Sequence, residues 1–162
     1  MERAKESLQL TSEESESVAR LTVAPHRVGI DSSFFEDFIL KGIRVDRVEP
    51  GLVTCTYKVP PRLTFSIQDR NGKLCAGAIA NLVDEVGGAV VHVEGLPMNV
   101  SVDMSISFLS TAKLDDELEL TARVLGQRGG YSGTSVLVRN KATGELVAEG
   151  RHSLFGKHAS KL

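Results

Sequence analysis

The 162-residue sequence has no tryptophan, two cysteines and five prolines, and aromatic residues make up only 5% of it. With two tyrosines and six phenylalanines, its core has to be built mainly from Val, Leu, Ile and Ala. Cys55 and Cys75 can form one bridge at most, which excludes a disulfide scaffold; free thiols in a reducing compartment are expected. No apolar run approaches the ~18 to 20 residues needed to cross a bilayer, so no membrane span is expected. Neither sign of charge dominates. Against 21 Asp+Glu stand 19 Lys+Arg, a formal balance of −2, so no basic surface dedicated to nucleic acid is expected. The opening stretch carries Glu2, Glu6, Glu13, Glu14 and Glu16 without an apolar segment, unlike a secretory signal or an acidic-poor transit peptide.

What is present is ordinary globular usage, 41% hydrophobic and 25% charged, at a length that suits one domain with one core. Residues 1–25 read as a flexible or marginally helical lead, 26–156 as the folded domain, and 157–162 as an exposed tail. That tail ends in Ser160, Lys161 and Leu162, the tripeptide that the peroxisomal import receptor reads, so a peroxisomal location is expected.

Asp31-Ser32-Ser33 offers an N-cap to Phe34 through Leu40, and Gly42 follows as a stop, predicting a short helix. Two strands come next. Ile43, Val45 and Arg47 alternate with Arg44, Asp46 and Val48; Pro50-Gly51 turns the chain; Val53, Cys55, Tyr57 and Val59 share one face of the return. Leu74 to Val93 is too long for a strand. Its Ile79, Leu82, Val83, Val86, Val90 and Val93 fall within one helical arc of about 100°, while Gly77, Asn81, Asp84, Gly88 and His92 form the opposite stripe. The glycines of this helix lower its propensity, and together with its alanines they predict something packed close to its backbone. From 99 to 108, Val100, Val102, Met104, Ile106 and Phe108 alternate with Ser101, Asp103, Ser105 and Ser107, predicting a strand with one dry face and opening a meander of four. Three further strands are joined by turns at Gly129-Gly130 and Ala142-Thr143-Gly144. The economical solution is α+β: an antiparallel sheet wrapped around one long central helix.

No histidine has metal-ligand spacing with a cysteine or carboxylate, and neither a G-x-S-x-G elbow nor a phosphate loop occurs. Cys75 precedes a helix start, where thiols can be activated, yet no histidine is tied to it by local spacing. Asp84 is a mid-helix carboxylate; if a partner covers the small stripe it is a candidate general base, and otherwise it wets the solvent side. The unpaired N–H groups where the long helix begins, at Cys75, Ala76 and Gly77, can face a developing oxyanion.

Three strings carry a resemblance: residues 69–77 continued to Leu82-Val83-Asp84, then Val100-Ser101-Val102-Asp103-Met104, then Asn140 through His152. Together they resemble the hotdog-fold acyl-CoA thioesterases, the group that includes thioesterase superfamily member 2 and the phenylacetic-acid-degradation thioesterases, over roughly residues 30 to 156. The resemblance implies hydrolysis of an acyl-CoA thioester to free acid and coenzyme A with no metal and no cofactor, coenzyme A being part of the substrate. It implies that Asp84 activates water or attacks the thioester, that Ser101 places the water, and that amides at Ala76 and Gly77 hold the thioester oxygen. A family asparagine that polarises the carbonyl falls on Asp69, and a family histidine on Cys75. Asp69 cannot donate a hydrogen bond when ionised and repels an oxyanion, so Asn71 is a substitute donor if the loop shifts. The remaining substrate contacts expected are Cys75, Asp103, Phe108 and the loop Gly126, Gln127, Arg128, Gly129, Gly130 and Tyr131, which is matched to coenzyme A binding. A homodimer is implied, pairing into a homotetramer. Because strict alternation puts Ser101 on the polar face of its strand, away from the helix, it is expected to meet Asp84 across a seam between copies. Two alternatives stay open: an acyl-CoA binding module with weak catalysis, and a hotdog enoyl-CoA hydratase.

Overall fold

The computed structural model describes residues 11–20, 34–64, 72–92 and 99–156. Asp31-Ser32-Ser33, Asp69, Asn71, Val93 and Ser160-Lys161-Leu162 lie outside the described residues. The chain divides into two units, Met1–Asp37 and Phe38–Leu162. In the first, helix α1 spans Ser12–Arg20. A second helix, α2, spans Phe34–Leu40 and ends at Gly42, whose φ of +97° is a conformation that favours glycine.

The second unit is a six-stranded antiparallel sheet with one long helix against it. Strands β1 (Ile43–Glu49) and β2 (Leu52–Lys58) precede helix α3 (Ala76–Ala89), and β3 (Val100–Phe108), β4 (Glu117–Arg128), β5 (Tyr131–Asn140) and β6 (Leu146–Phe155) follow it. The spatial order is β1-β2-β4-β5-β6-β3. The predicted meander is therefore only partly right: β4, β5 and β6 are consecutive neighbours, but β3 crosses over to pair with β6. Strand order is a tertiary property that period-two alternation does not encode.

Inward positions meet across the strands in rows. Val53, Ala122, Val136 and Gly150 form one row, and Cys55, Leu120, Val138 and Ala148 the next. All of them are buried, and α3 covers them with Ala78, Ile79, Leu82, Val83 and Val86. At Gly150 a Cβ would overlap Val83, so a glycine lets helix and sheet approach most closely there.

Helix α3 is shorter than the predicted 74–93. At its start, Lys73 and Leu74 form β-bridges to Lys113 and Thr64, and the Cys75 N–H donates to the Leu63 carbonyl at 2.9 Å. At its end, Val91 and His92 donate back three residues to Gly88 and Ala89, tightening and closing the helix. The predicted small stripe also shifts, because Gly88 is buried. The close approach foreseen from the glycines falls at Gly87, where a Cβ would lie 3.0 Å from His152 Nδ1 and 3.2 Å from both Thr134 Oγ1 and Val136 Cγ2. The dry face foreseen for β3 is open in the single chain: this edge strand leaves Val100, Val102 and Phe108 exposed.

Candidate active site

Asp84 projects from the flank of α3 that faces β3 and β6. Its side chain is 37% exposed, neither free in solvent nor sealed. Ser101 Oγ donates to Asp84 Oδ1 at 2.8 Å within the same chain. Contact only across a seam is thus corrected, and the cause is a β-bulge. The pairing of β3 with β6 slips between Ser101 and Asp103, leaving Val102 as the extra residue. Ser101 consequently stands opposite Leu154, and Met104 opposite His152, on the side of the sheet that faces the helix.

His152, which sequence reasoning did not assign to the site, completes the cluster. Its Nε2 lies 2.9 Å from Ser101 Oγ and 3.2 Å from Asp84 Oδ1, and its side chain has no exposed surface. A carboxylate only accepts hydrogen bonds, so the consistent assignment gives Nε2 the proton: Nε2–H donates to Ser101, and the Ser101 hydroxyl donates to Asp84. Nδ1 is then a bare acceptor, buried against Gly87 without a hydrogen-bond partner among the described residues. Burial holds the His152 pKa below its ordinary 6.5, only partly opposed by the Asp84 charge. A neutral imidazole follows. In a nucleophilic Ser-His-Asp triad, serine and aspartate occupy opposite ring nitrogens. Here both face Nε2, and the serine proton is committed to the aspartate. The arrangement orients a carboxylate and leaves its remaining lone pairs for water. The sequence signalled only that His152 faces inward, because continuing the inward series Ala148, Gly150 by two residues lands on it.

At the start of α3 the amides of Ala76 and Gly77 have no hydrogen-bond partner among the described residues. Both residues are exposed, and among the described residues nothing beyond the helix's own backbone and the adjacent residues lies within 4 Å of where a Gly77 side chain would stand. These are donors available to an incoming oxygen. Cys75 is not: its N–H is spent on Leu63, and burial raises its thiol pKa, which argues against a thiolate nucleophile. Seven residues separate Gly77 from Asp84, about 10 Å along the axis at about 1.5 Å per residue. One carbonyl cannot touch both groups of a single chain.

The other expected contacts scatter. Asp103 lies opposite Ser153, outward and exposed, and Phe108, 51% exposed, ends β3 opposite Ala148. Gln127 shares a row with Ser132, Leu154 and Ser101 across four strands, about 14 Å from end to end, and its Nε2 donates to Ser132 Oγ at 3.2 Å. Arg128 and Tyr131 flank the Gly129-Gly130 turn, in which Gly129 has a φ of +60°. Tyr131, Phe155 and Val100 adjoin across the outer face. The hairpin thus stands at the end of the sheet that holds Ser101, without touching Asp84. Among the described residues no group of three His, Cys, Asp or Glu side chains could hold a metal ion, and no helix is long and apolar enough to cross a membrane.

Comparison with known proteins places this geometry. Residues 71–154 match the model of the thioesterase superfamily. The human protein acyl-coenzyme A thioesterase 13 is 40% identical over 116 residues, covering 71% of this chain and 80% of that protein. The structure of zebrafish thioesterase superfamily member 2 is similar with a TM-score of 0.67 and 32% identity, covering 91% of this chain and 99% of that one. A hypothetical thioesterase protein from Streptococcus pneumoniae, solved with coenzyme A, has a TM-score of 0.64 and 25% identity over 74% of this chain and 93% of that one.

Proposed function

The chain belongs to the thioesterase superfamily, and we propose that it hydrolyses an acyl-CoA thioester to the free acid and coenzyme A. The observation that carries this reading is the half-buried Asp84 carboxylate oriented by Ser101 and His152. Asp84 acts as general base on a water, or attacks the carbonyl itself. In the first route the water oxygen bonds to the thioester carbon, its proton passes to Asp84, the C–S bond breaks, and that proton passes from Asp84 to the departing thiolate, giving coenzyme A and restoring the carboxylate. The Ala76 and Gly77 amides hold the carbonyl oxygen as it becomes negative, a contribution of the oxyanion-hole type.

Since the two groups of one chain are about 10 Å apart, we place each site between two copies, with Asp84 from one and the start of α3 from the other. The exposed edge strand β3 is the seam that would bring them together, and the Gln127-to-Tyr131 hairpin would meet the coenzyme A portion.

The test is release of free thiol from short, long and aromatic acyl-CoAs by the purified full chain. Turnover of at least one class supports the reading. Tight binding of coenzyme A with hydrolysis at background would replace it with an acyl-CoA binding module.

A further inference from the structure

A cleft of about 340 Å³ opens where β2 ends, lined by Lys41, Lys58, Pro60, Pro61, Arg62 and Asp115. Three cations face one carboxylate there. Lys58 Nζ pairs with Asp115 at 2.9 Å, which leaves Lys41 and Arg62 as surplus charge.

Arg62 is held rigidly. Its Nε donates to the Phe38 carbonyl at 2.7 Å, its Nη2 donates to the Lys41 carbonyl and to the Tyr57 hydroxyl oxygen at 3.3 Å, and its guanidinium lies 5.9 Å from the Phe38 ring centroid. The arginine thereby caps the last carbonyls of α2. No hydrogen bond engages Nη1 or the Lys41 ammonium among the described residues. The walls are pinned as well: the Val59 N–H donates to the Asp116 carbonyl at 2.9 Å, and the Asp115 N–H to the Val59 carbonyl at 3.1 Å.

We propose that this cleft binds a phosphoryl dianion, held by Arg62 Nη1 and the Lys41 ammonium, with Lys58 adding charge at the rim. A guanidinium fixed by two of its nitrogens presents the third without further loss of side-chain freedom, and two unpaired cations match a double negative charge better than a carboxylate would. The phosphoryl group is either the 3′-phosphate of coenzyme A or free phosphate. The inference rests on residues separate from Asp84, Ser101 and the start of α3, and stands whether or not the chain is a hydrolase.

Amide chemical shifts of the isotope-labelled full chain, titrated with inorganic phosphate at constant ionic strength, test it. Saturable shifts are expected at Lys41, Gly42, Arg62 and Asp115. A Lys41→Glu, Lys58→Glu double variant should bind about tenfold more weakly or worse, a change of about 1.4 kcal/mol or more. Scattered shifts, equal shifts with acetate, or unchanged affinity in the variant would overturn the site. Coenzyme A against 3′-dephospho-coenzyme A identifies the source: shifts with the first alone assign the coenzyme, and shifts with neither assign free phosphate. No hydrolysis is read, so failure here is distinct from failure of the thioesterase reading.

Discussion

Ser101 Oγ lies 2.8 Å from Asp84 Oδ1, joining β3 to α3 inside one chain. The bond exists because a bulge turns Ser101 toward the helix, and it makes the carboxylate an oriented acceptor with lone pairs to spare.

Replacing that acceptor is the most direct perturbation. Asp84→Asn keeps the shape and a partner for Ser101 but removes the base, so kcat should fall by about 10² to 10⁴ with folding little changed. Steady-state thiol release beside a thermal melt checks both halves. Parent-level turnover in the Asn variant, with deamidation excluded by mass, would dismiss the role.

Ser101→Ala removes the hydroxyl between two polar groups and leaves the fully buried His152 Nε2–H with only the longer 3.2 Å contact to Asp84. Loss of such a partner destabilises by about 1 to 3 kcal/mol. The lost orientation of Asp84 should lower kcat about tenfold or more while KM changes less. A rise in KM with kcat unchanged would point to ground-state binding instead.

His152 is expected to set an acid limb. Its folded-state pKa is depressed by burial, so below about 6.5 the unfolded chain binds more protons than the native one. The stability contributed by neutral His152 is therefore fully present above pH 6.5 and is lost as the pH falls from there toward the depressed value. Urea midpoints should drop over that window in the parent and flatten in His152→Gln, whose amide can still donate to Ser101. His152→Leu should also flatten the curve but lose more kcat than the Gln variant, separating positioning from packing.

Gly87→Ala tests the support behind that histidine. Helix propensity favours alanine by about 1 kcal/mol, but the added methyl would stand 3.0 Å from His152 Nδ1 and 3.2 Å from Thr134 Oγ1. Crowding should outweigh propensity, with a net loss of about 1 to 2 kcal/mol and a larger proportional loss of activity as the ring is displaced. A more stable and fully active variant would show that the ring does not need its place.

Much of this was legible in residue patterns. Period-two alternation located the faces of β2 and β6, Pro50-Gly51 marked the β1–β2 hairpin and Gly129-Gly130 the β4–β5 hairpin, and helical spacing found the buried residues of α3. Three features were not legible. β3 joins β6 rather than β4 because strand order depends on which edge is left to pair. The bulge at Val102 is one residue inserted into an unbroken apolar-polar series, so the alternation that correctly identified the strand sent Ser101 to the wrong side. His152 became part of the site only when β3 lay beside β6, since its partners are 51 residues away at Ser101 and farther still at Asp84.

The edge strand β3 carries the last prediction. Val100, Val102 and Phe108 are 67%, 59% and 51% exposed, on a strand whose outer backbone edge has no neighbour among the described strands. Such an edge invites pairing with another chain, and the distance between Gly77 and Asp84 along α3 requires a second copy if the proposed carbonyl is to meet both. A charge on the seam should therefore remove assembly and turnover together. Val102→Lys lies at the bulge, exposed and outside the core, so the single chain should still fold. Light scattering should show the parent as a dimer or larger and the variant as a monomer, with hydrolysis falling to background although Asp84, Ser101 and His152 are untouched. A monomeric variant that retained full turnover would mean that one chain holds a complete site, and the shared-site geometry would have to be given up.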